Sequence, residues 1–236
     1  MDPDPAYFRI VLKSLPTGDY EAGVSVAREI GLFGRAQFDR PAFVVSVSGW
    51  KPVGTPKTVT SSEGNWVYTI DNEPALDVLL RFTGAKVDMN ESDDLLRQIG
   101  QSYPLQVIGN EGSPVMKPPL MFNRETGAVM CGGQIPEGAK IRFSLPPDFD
   151  IVETVIDSAR DVKERVLPEA DALLVFSCIG RQMTLGPLID EEINGLNEVW
   201  KVPMTGYFSL GEFGAVKGGK STFHGTTCSW VALKEK

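Results

Sequence analysis

The apolar and polar positions of this chain alternate between short β-type runs, a few helical stripes and loops punctuated by Gly and Pro. Phe43 to Val47 is a Val-rich run that reads as a strand. Lys51 to Pro56 holds two prolines and a glycine and reads as a loop. Thr58–Thr60 and Trp66–Ile70 are two further β-runs, and Ser61 to Asn65 between them has hairpin turn chemistry. Ala75, Leu76, Leu79, Leu80 and Phe82 then recur at helical spacing. This predicts a helix that starts near Asn72, carries Pro74 in its first turn and stops at Gly84. A second short helix is expected over Ser92–Ile99, a strand over Tyr103–Ile108 and a long loop over Gly109–Pro119. Ala128 to Leu145 is β-rich, broken at Gly132-Gly133 and at Pro136-Glu137-Gly138. Before residue 43 the pattern is weaker, with a short strand at Ile10–Leu12 and a short helix at Gly23–Ile30.

The strongest periodicity lies between Lys140 and Trp200. Lys140–Leu145 reads as a strand, and Asp150 with Glu153 three residues on reads as a capping box. Ile151, Val152, Val155, Ile156, Ala159, Val162 and Val166 form one apolar stripe, closed by Pro168. Ala172 to Ser177 is a continuous apolar run of the kind buried on both faces. A further helix spans Pro187 to Trp200, with Ile189, Ile193, Leu196 and Val199 inward. Strand, helix, strand, helix in this order predicts a parallel crossover. The chain returns to β character from Tyr207 and ends with Trp230–Leu233. The expected fold is α+β (mixed α/β): a mostly antiparallel sheet with one or two parallel βαβ crossovers and flanking helices.

Composition adds exclusions. The 236 residues suffice for one large domain. With 23 Lys and Arg against 31 Asp and Glu, the net charge is −8, which disfavours a nucleic-acid partner because phosphate contacts need clustered cations. No apolar run is long enough to span a bilayer, so no membrane partner is expected. Cys131, Cys178 and Cys228 are far apart and cannot all pair, which fits a reducing, cytoplasmic setting. Between Asp148 and Asp171 stand eight acids and three bases, the pattern of a solvated helix face.

Four motifs carry candidate chemistry. Gly214 to Ser221 satisfies the phosphate-loop expression G-x-x-x-x-G-K-S, but that loop works only when a helix N-terminus follows. Thr222 onward is β-branched and aromatic, so a cationic hairpin loop is expected instead. Cys178-Ile179-Gly180-Arg181 follows the buried strand, where open α/β sheets bind ligands. Arg181 there clamps a carboxylate or pairs with a local acid. Gly206 to Phe213 sets Glu212 among apolar residues, where a carboxylate needs a partner if buried. His224 is the only histidine; with Cys178 it makes a thiol–imidazole pair, and with the cysteines a zinc set, though no close ligand pair supports a metal. A small zwitterion fits this set best: Arg181 at its carboxylate, Glu212 at its ammonium, Tyr207 as an aromatic wall, His224 and Thr227 as hydrogen-bonding groups.

Three ordered stretches resemble the C-terminal half of the FIST sensory family. They are Leu173 to Arg181 (LLVFSCIGR), Pro203 to Glu212 (PMTGYFSLGE) and Phe223 to Thr227 (FHGTT). Upstream, Val59–Asn65 and Glu73–Asp77 resemble the junction where that family's C-terminal domain begins. The resemblance divides the chain into an N-terminal segment, 1–50, standing where a FIST N-type domain would, and a FIST C-like ligand-sensing domain, 51–236. It implies a non-catalytic sensor of a small molecule such as an amino acid, acting in intracellular signal transduction with an output protein as partner. The ligand-binding set expected is Cys178, Arg181, Gly206, Tyr207, Gly211, Glu212, His224 and Thr227, with no cofactor and no metal. The alternatives are a cysteine-dependent enzyme using Cys178 with His224, and a protein-interaction module.

Overall fold

Strand β1 (Phe43–Val47) opens the part of the chain that the computed structural model describes, which comprises residues 43–86, 99, 101–109, 114–145, 148–215 and 221–234. The expected strand at 10–12, the helix at 23–30 and nearly all of the helix at 92–99 lie outside these residues. Strands β2 (Pro52–Glu63), β3 (Trp66–Ile70) and β4 (Glu73–Pro74) follow as successive hairpins. Gly64, at φ +54, begins the first turn. The second is Asp71-Asn72, both left-handed at φ 50 and 65, the pattern whose twist matches the flanking strands. Asn72 therefore belongs to a turn, and helix α1 (Ala75–Thr83) starts three residues later than the periodicity predicts. Gly84, at φ 66, ends it and donates to Leu80 O at 2.9 Å.

β2 runs through the predicted loop at 51–56. Pro56 is tolerated because the ladder to β9 breaks there, with a register shift between Val53 and Lys57, and Pro52 is tolerated as the first residue of the strand. Strands β5 (Leu105–Ile108), β6 (Val115–Lys117), β7 (Pro119–Phe122), β8 (Val129–Cys131) and β9 (Lys140–Ser144) complete an antiparallel sheet ordered β6-β5-β9-β2-β3-β8-β7, with β4 on β3. β6 and the start of β7 correct the loop expected at 109–119. Both end the sheet order, where Pro118 and Pro119 need donate to no inner ladder.

Helix α2 (Asp150–Arg165) buries Ile151, Val152, Val155, Ile156, Ala159 and Val162, as its stripe predicts. Val166 lies past its end and is 52% exposed, and Leu167 turns inward instead. The capping box does not form. Glu153 accepts from Arg160 at 2.6 Å, and Asp148 Oδ1 takes the Asp150 N–H at 3.2 Å. Strand β10 (Ala172–Cys178) alternates between buried Leu173, Val175 and Ser177 and half-buried Leu174 and Phe176, so it is covered fully on one face only, not on both. Helices α3 (Ile179–Leu185) and α4 (Leu188–Trp200) lead to β11 (Met204–Ser209), parallel to β10; a parallel crossover is present as expected, but it joins β10 to β11, while β9 of the expected strand–helix–strand unit lies in the other sheet. β12 (Glu212–Ala215) and β13 (Ser221–His224) make a two-stranded hairpin, and β14 (Cys228–Leu233) completes a sheet ordered β1-β14-β10-β11. A strand, not the helix a phosphate loop needs, begins at Ser221; residues 216–220 of the pattern, where the cationic loop is expected, lie outside the described residues.

Val155, Ala159 and Val162 of α2 and Leu196 and Trp200 of α4 pack on Leu173, Val175, Trp230 and Ala232 of this sheet. Each such aliphatic side chain contributes roughly 1.5–3 kcal/mol by leaving water. Gly195 sets the closeness of the two helices, since a Cβ there would fall 2.3 Å from Ile156 Cδ1. This layer fixes the far end of β10, where the candidate residues converge. Among the described residues, no helix is long and apolar enough to cross a membrane.

Candidate functional site

β10 ends at Cys178, whose N–H donates to Thr227 O at 2.9 Å. The neighbouring β11 ends at Ser209, the Cα partner of Cys178, and three residues later Glu212 opens β12. The chain thus brings Cys178, Ser209, Glu212 and Thr227 together. Glu212 is 3% exposed. Ser209 Oγ donates to its Oε1 at 2.7 Å and Thr227 Oγ1 to its Oε2 at 2.8 Å. The Thr227 backbone N–H and the Cys178 thiol also favour its charged form. Burial pushes the Glu212 carboxyl up to about 8, against these hydrogen bonds, which hold it down. No lysine or arginine forms an ion pair with it among the described residues.

Burial, and then the Glu212 charge, push the Cys178 thiol up to about 11, with the backbone N–H groups of Thr226, Arg181 and Gly180 pulling the other way. Tyr207 lies at the rim, 38% exposed, edge-on to Phe176 at 5.2 Å between centroids. Its hydroxyl is shifted upward by burial and then by Glu212. His224 is fully buried on β13 as the Cα partner of Glu212. Gly206 and Gly211 act through close packing. A Cβ at Gly206 would lie 1.7 Å from Val175 O, and one at Gly211 would lie 2.2 Å from Phe223 Cζ.

Arg181 does not face Glu212. It is completely buried and pairs with Glu192 of α4, also completely buried. Nε reaches both Glu192 oxygens at 3.1 and 3.0 Å, and Nη2 reaches Oε2 at 2.5 Å. Nη1 donates to Ser48 O and, at 3.4 Å, to Thr226 O; Nη2 also donates to Ile151 O at 3.1 Å. The guanidinium is spent on holding α2, α3, α4 and the loop after β1 together. The clamp on a ligand carboxylate read from the sequence is corrected to a structural ion pair. Glu192 had a readable signal: it sits on the stripe Ile189, Ile193, Leu196, three residues after Ile189 and four before Leu196.

A second buried charge escaped the sequence reading. Lys117, at the end of β6, is 5% exposed and donates to Phe223 O at 3.0 Å, with its ammonium 5.4 Å from the Phe223 ring centroid. Burial pulls its amine down to about 8. Cys131, buried on β8, is pushed up to about 12 by burial, with Lys117 pulling the other way.

The family model of the FIST C domain matches residues 75–215, and that of the FIST N domain matches residues 21–73. The chain belongs to the FIST family. FIST domains are small-ligand sensor domains of signalling proteins. The FIST C match contains Cys178, Arg181, Gly206, Tyr207, Gly211 and Glu212; His224 and Thr227 follow it. Among curated proteins the chain is similar to uncharacterized protein MT0656 of Mycobacterium tuberculosis, 26% identical over 188 residues, covering 77% of this chain and 48% of that protein. It is likewise similar to uncharacterized protein Mb0898c of Mycobacterium bovis, 26% identical over 188 residues, covering 77% of this chain and 47% of that protein. The chain spans about half the length of these relatives. No solved structure matches.

Proposed function

We propose that this FIST chain is a non-catalytic sensor of a small amine-bearing ligand, an amino acid or a similar zwitterion, working in cytoplasmic signal transduction through an output protein. The observation that carries the reading is Glu212. A carboxyl buried against two hydroxyl donors, with no cation among the described residues to neutralise it, is an arrangement that structure alone does not favour. A ligand ammonium would supply the missing charge. Its binding would ionise Glu212, with Ser209, Thr227 and Cys178 holding the carboxylate oriented. Tyr207 at the rim and His224 across the hairpin complete the proposed lining. The raised thiol of Cys178 supports binding over turnover, because the thiolate is the nucleophile.

A thermal-shift screen of the amino acids and their decarboxylated amines tests this reading, since a ligand of the folded state alone raises the melting temperature. The parent should respond and Glu212→Gln should not. A response that survives in Glu212→Gln would remove the proposal. So would rapid, turnover-linked alkylation of Cys178, which would favour the enzyme.

A further inference from the structure

Two buried ionisable groups, one acidic and one basic, hold the same hairpin, and among the described residues neither has a counter-ion. Glu212 belongs to β12. Lys117 is bonded to the carbonyl of Phe223 on β13, and the next residue, His224, is the Cα partner of Glu212. The two groups therefore meet the hairpin one residue apart along β13. No acid acts on Lys117 among the described residues; its surroundings are the Phe223 carbonyl and ring, Gly133 and the buried thiol of Cys131. A Cβ at Gly133 would fall 2.6 Å from Nζ, so the amine lies directly against a glycine that no other residue can replace without displacing it. An ammonium desolvated without an anion is costly to keep, and an apolar residue would fill the position more stably.

We propose that Lys117 is the anion-receiving subsite of the ligand site: it takes the carboxylate of the molecule whose amine Glu212 holds. The inference rests on the sensor reading for the amine end and supplies the cationic half that Arg181, committed to Glu192, does not. Anion binding completes the protonation of Lys117, whose amine is partly neutral near pH 8, and so takes up a proton. Amine binding ionises Glu212 and releases one. In the parent the two exchanges oppose each other.

The test uses a homologous series as probes: ω-amino acids from glycine to 8-aminooctanoate, the matching n-alkylamines and the matching n-alkanoates, read by thermal shift and titration calorimetry. One length of ω-amino acid should bind the parent about tenfold or more tighter than its alkylamine, the worth of one charge-assisted hydrogen bond. Lys117→Met should erase that advantage while keeping the alkylamine response. Glu212→Gln should lose the alkylamine response. Calorimetry in buffers of different ionisation enthalpy should show net proton release for Lys117→Met and net uptake for Glu212→Gln. If Lys117→Met keeps the zwitterion's advantage, or if no carboxylate-bearing probe outdoes its amine in the parent, the anion subsite is overturned whatever the amines do. If alkylamines never bind but a Lys117-dependent alkanoate response remains, the Glu212 reading falls and the anion subsite stands. Should Lys117→Met fail to fold, Lys117→Gln is read in its place. Failure of both to fold would make Lys117 a structural residue and overturn the proposal.

Discussion

Glu212→Gln keeps the shape of the buried side chain and removes its ionisation, so it isolates what the charge costs the fold. The folded carboxyl sits at about 8 against an ordinary 4.5, with burial as the leading cause. The folded state therefore holds its proton between those values while the unfolded state has lost it. Stability falls as pH rises from about 4.5 to about 8 and is level above that. The displacement corresponds to about 5 kcal/mol of stability lost in the parent by pH 9. Glutamine does not titrate and does not share that loss. It does place an amide N–H₂ against one of Ser209 and Thr227, whose hydroxyl must turn to accept, at a cost of about 1 kcal/mol. The expected result from urea unfolding is a variant near or slightly below the parent at pH 4.5, and more stable by about 4 kcal/mol at pH 9. A parent–variant difference that does not change with pH would refute the reasoning, because it would mean that Glu212 is already ionised and paired in the empty protein.

Other consequences follow from the same geometry. Arg181→Met should cost about 3–5 kcal/mol by stranding Glu192, and Arg181→Met with Glu192→Leu should recover much of it, as read by denaturant midpoints. Recovery of none of it would show that the backbone carbonyls, not the acid, are the partners that matter. Gly206→Ala should loosen β11 from β10, because its methyl would meet the Val175 carbonyl; amide exchange along 204–209 should accelerate by tenfold or more, about 1.4 kcal/mol of local stability. Cys178 should react only slowly with iodoacetamide at neutral pH and not well ahead of Cys131 and Cys228, since all three are buried and each thiol is raised by burial. Preferential labelling of Cys178 would contradict its placement.

The sequence showed α1, α2 and α4 because their signals are local. The α2 stripe, Gly84 and the apolar run of β10 each reflect a period or a stop that a single segment carries. The short strands β6 and β7 were hidden because Gly and Pro mark loops, yet edge positions tolerate them. Helix α3, of seven residues, is too short to show a stripe, so Arg181 read as a loop residue facing a ligand. Its true partner lies eleven residues on, on the next helix, and that pairing depends on how α3 folds back on α4. Glu212 was legible as a charge in an apolar context. Lys117 was not, because its burial comes from β13, about a hundred residues later in the chain.

The central claim is that Glu212 receives a ligand's ammonium, and the carboxyl resonance of Glu212 tests it most directly. With glutamate labelled at the side-chain carboxyl carbon and Glu212→Gln providing the assignment, a pH titration should place the empty protein's Glu212 near 8. Adding a saturating amine-bearing ligand from the thermal-shift screen should drive the group to well below neutral, as an adjacent cation favours the charged form. A Glu212 resonance that titrates identically with and without the bound ligand would contradict the account.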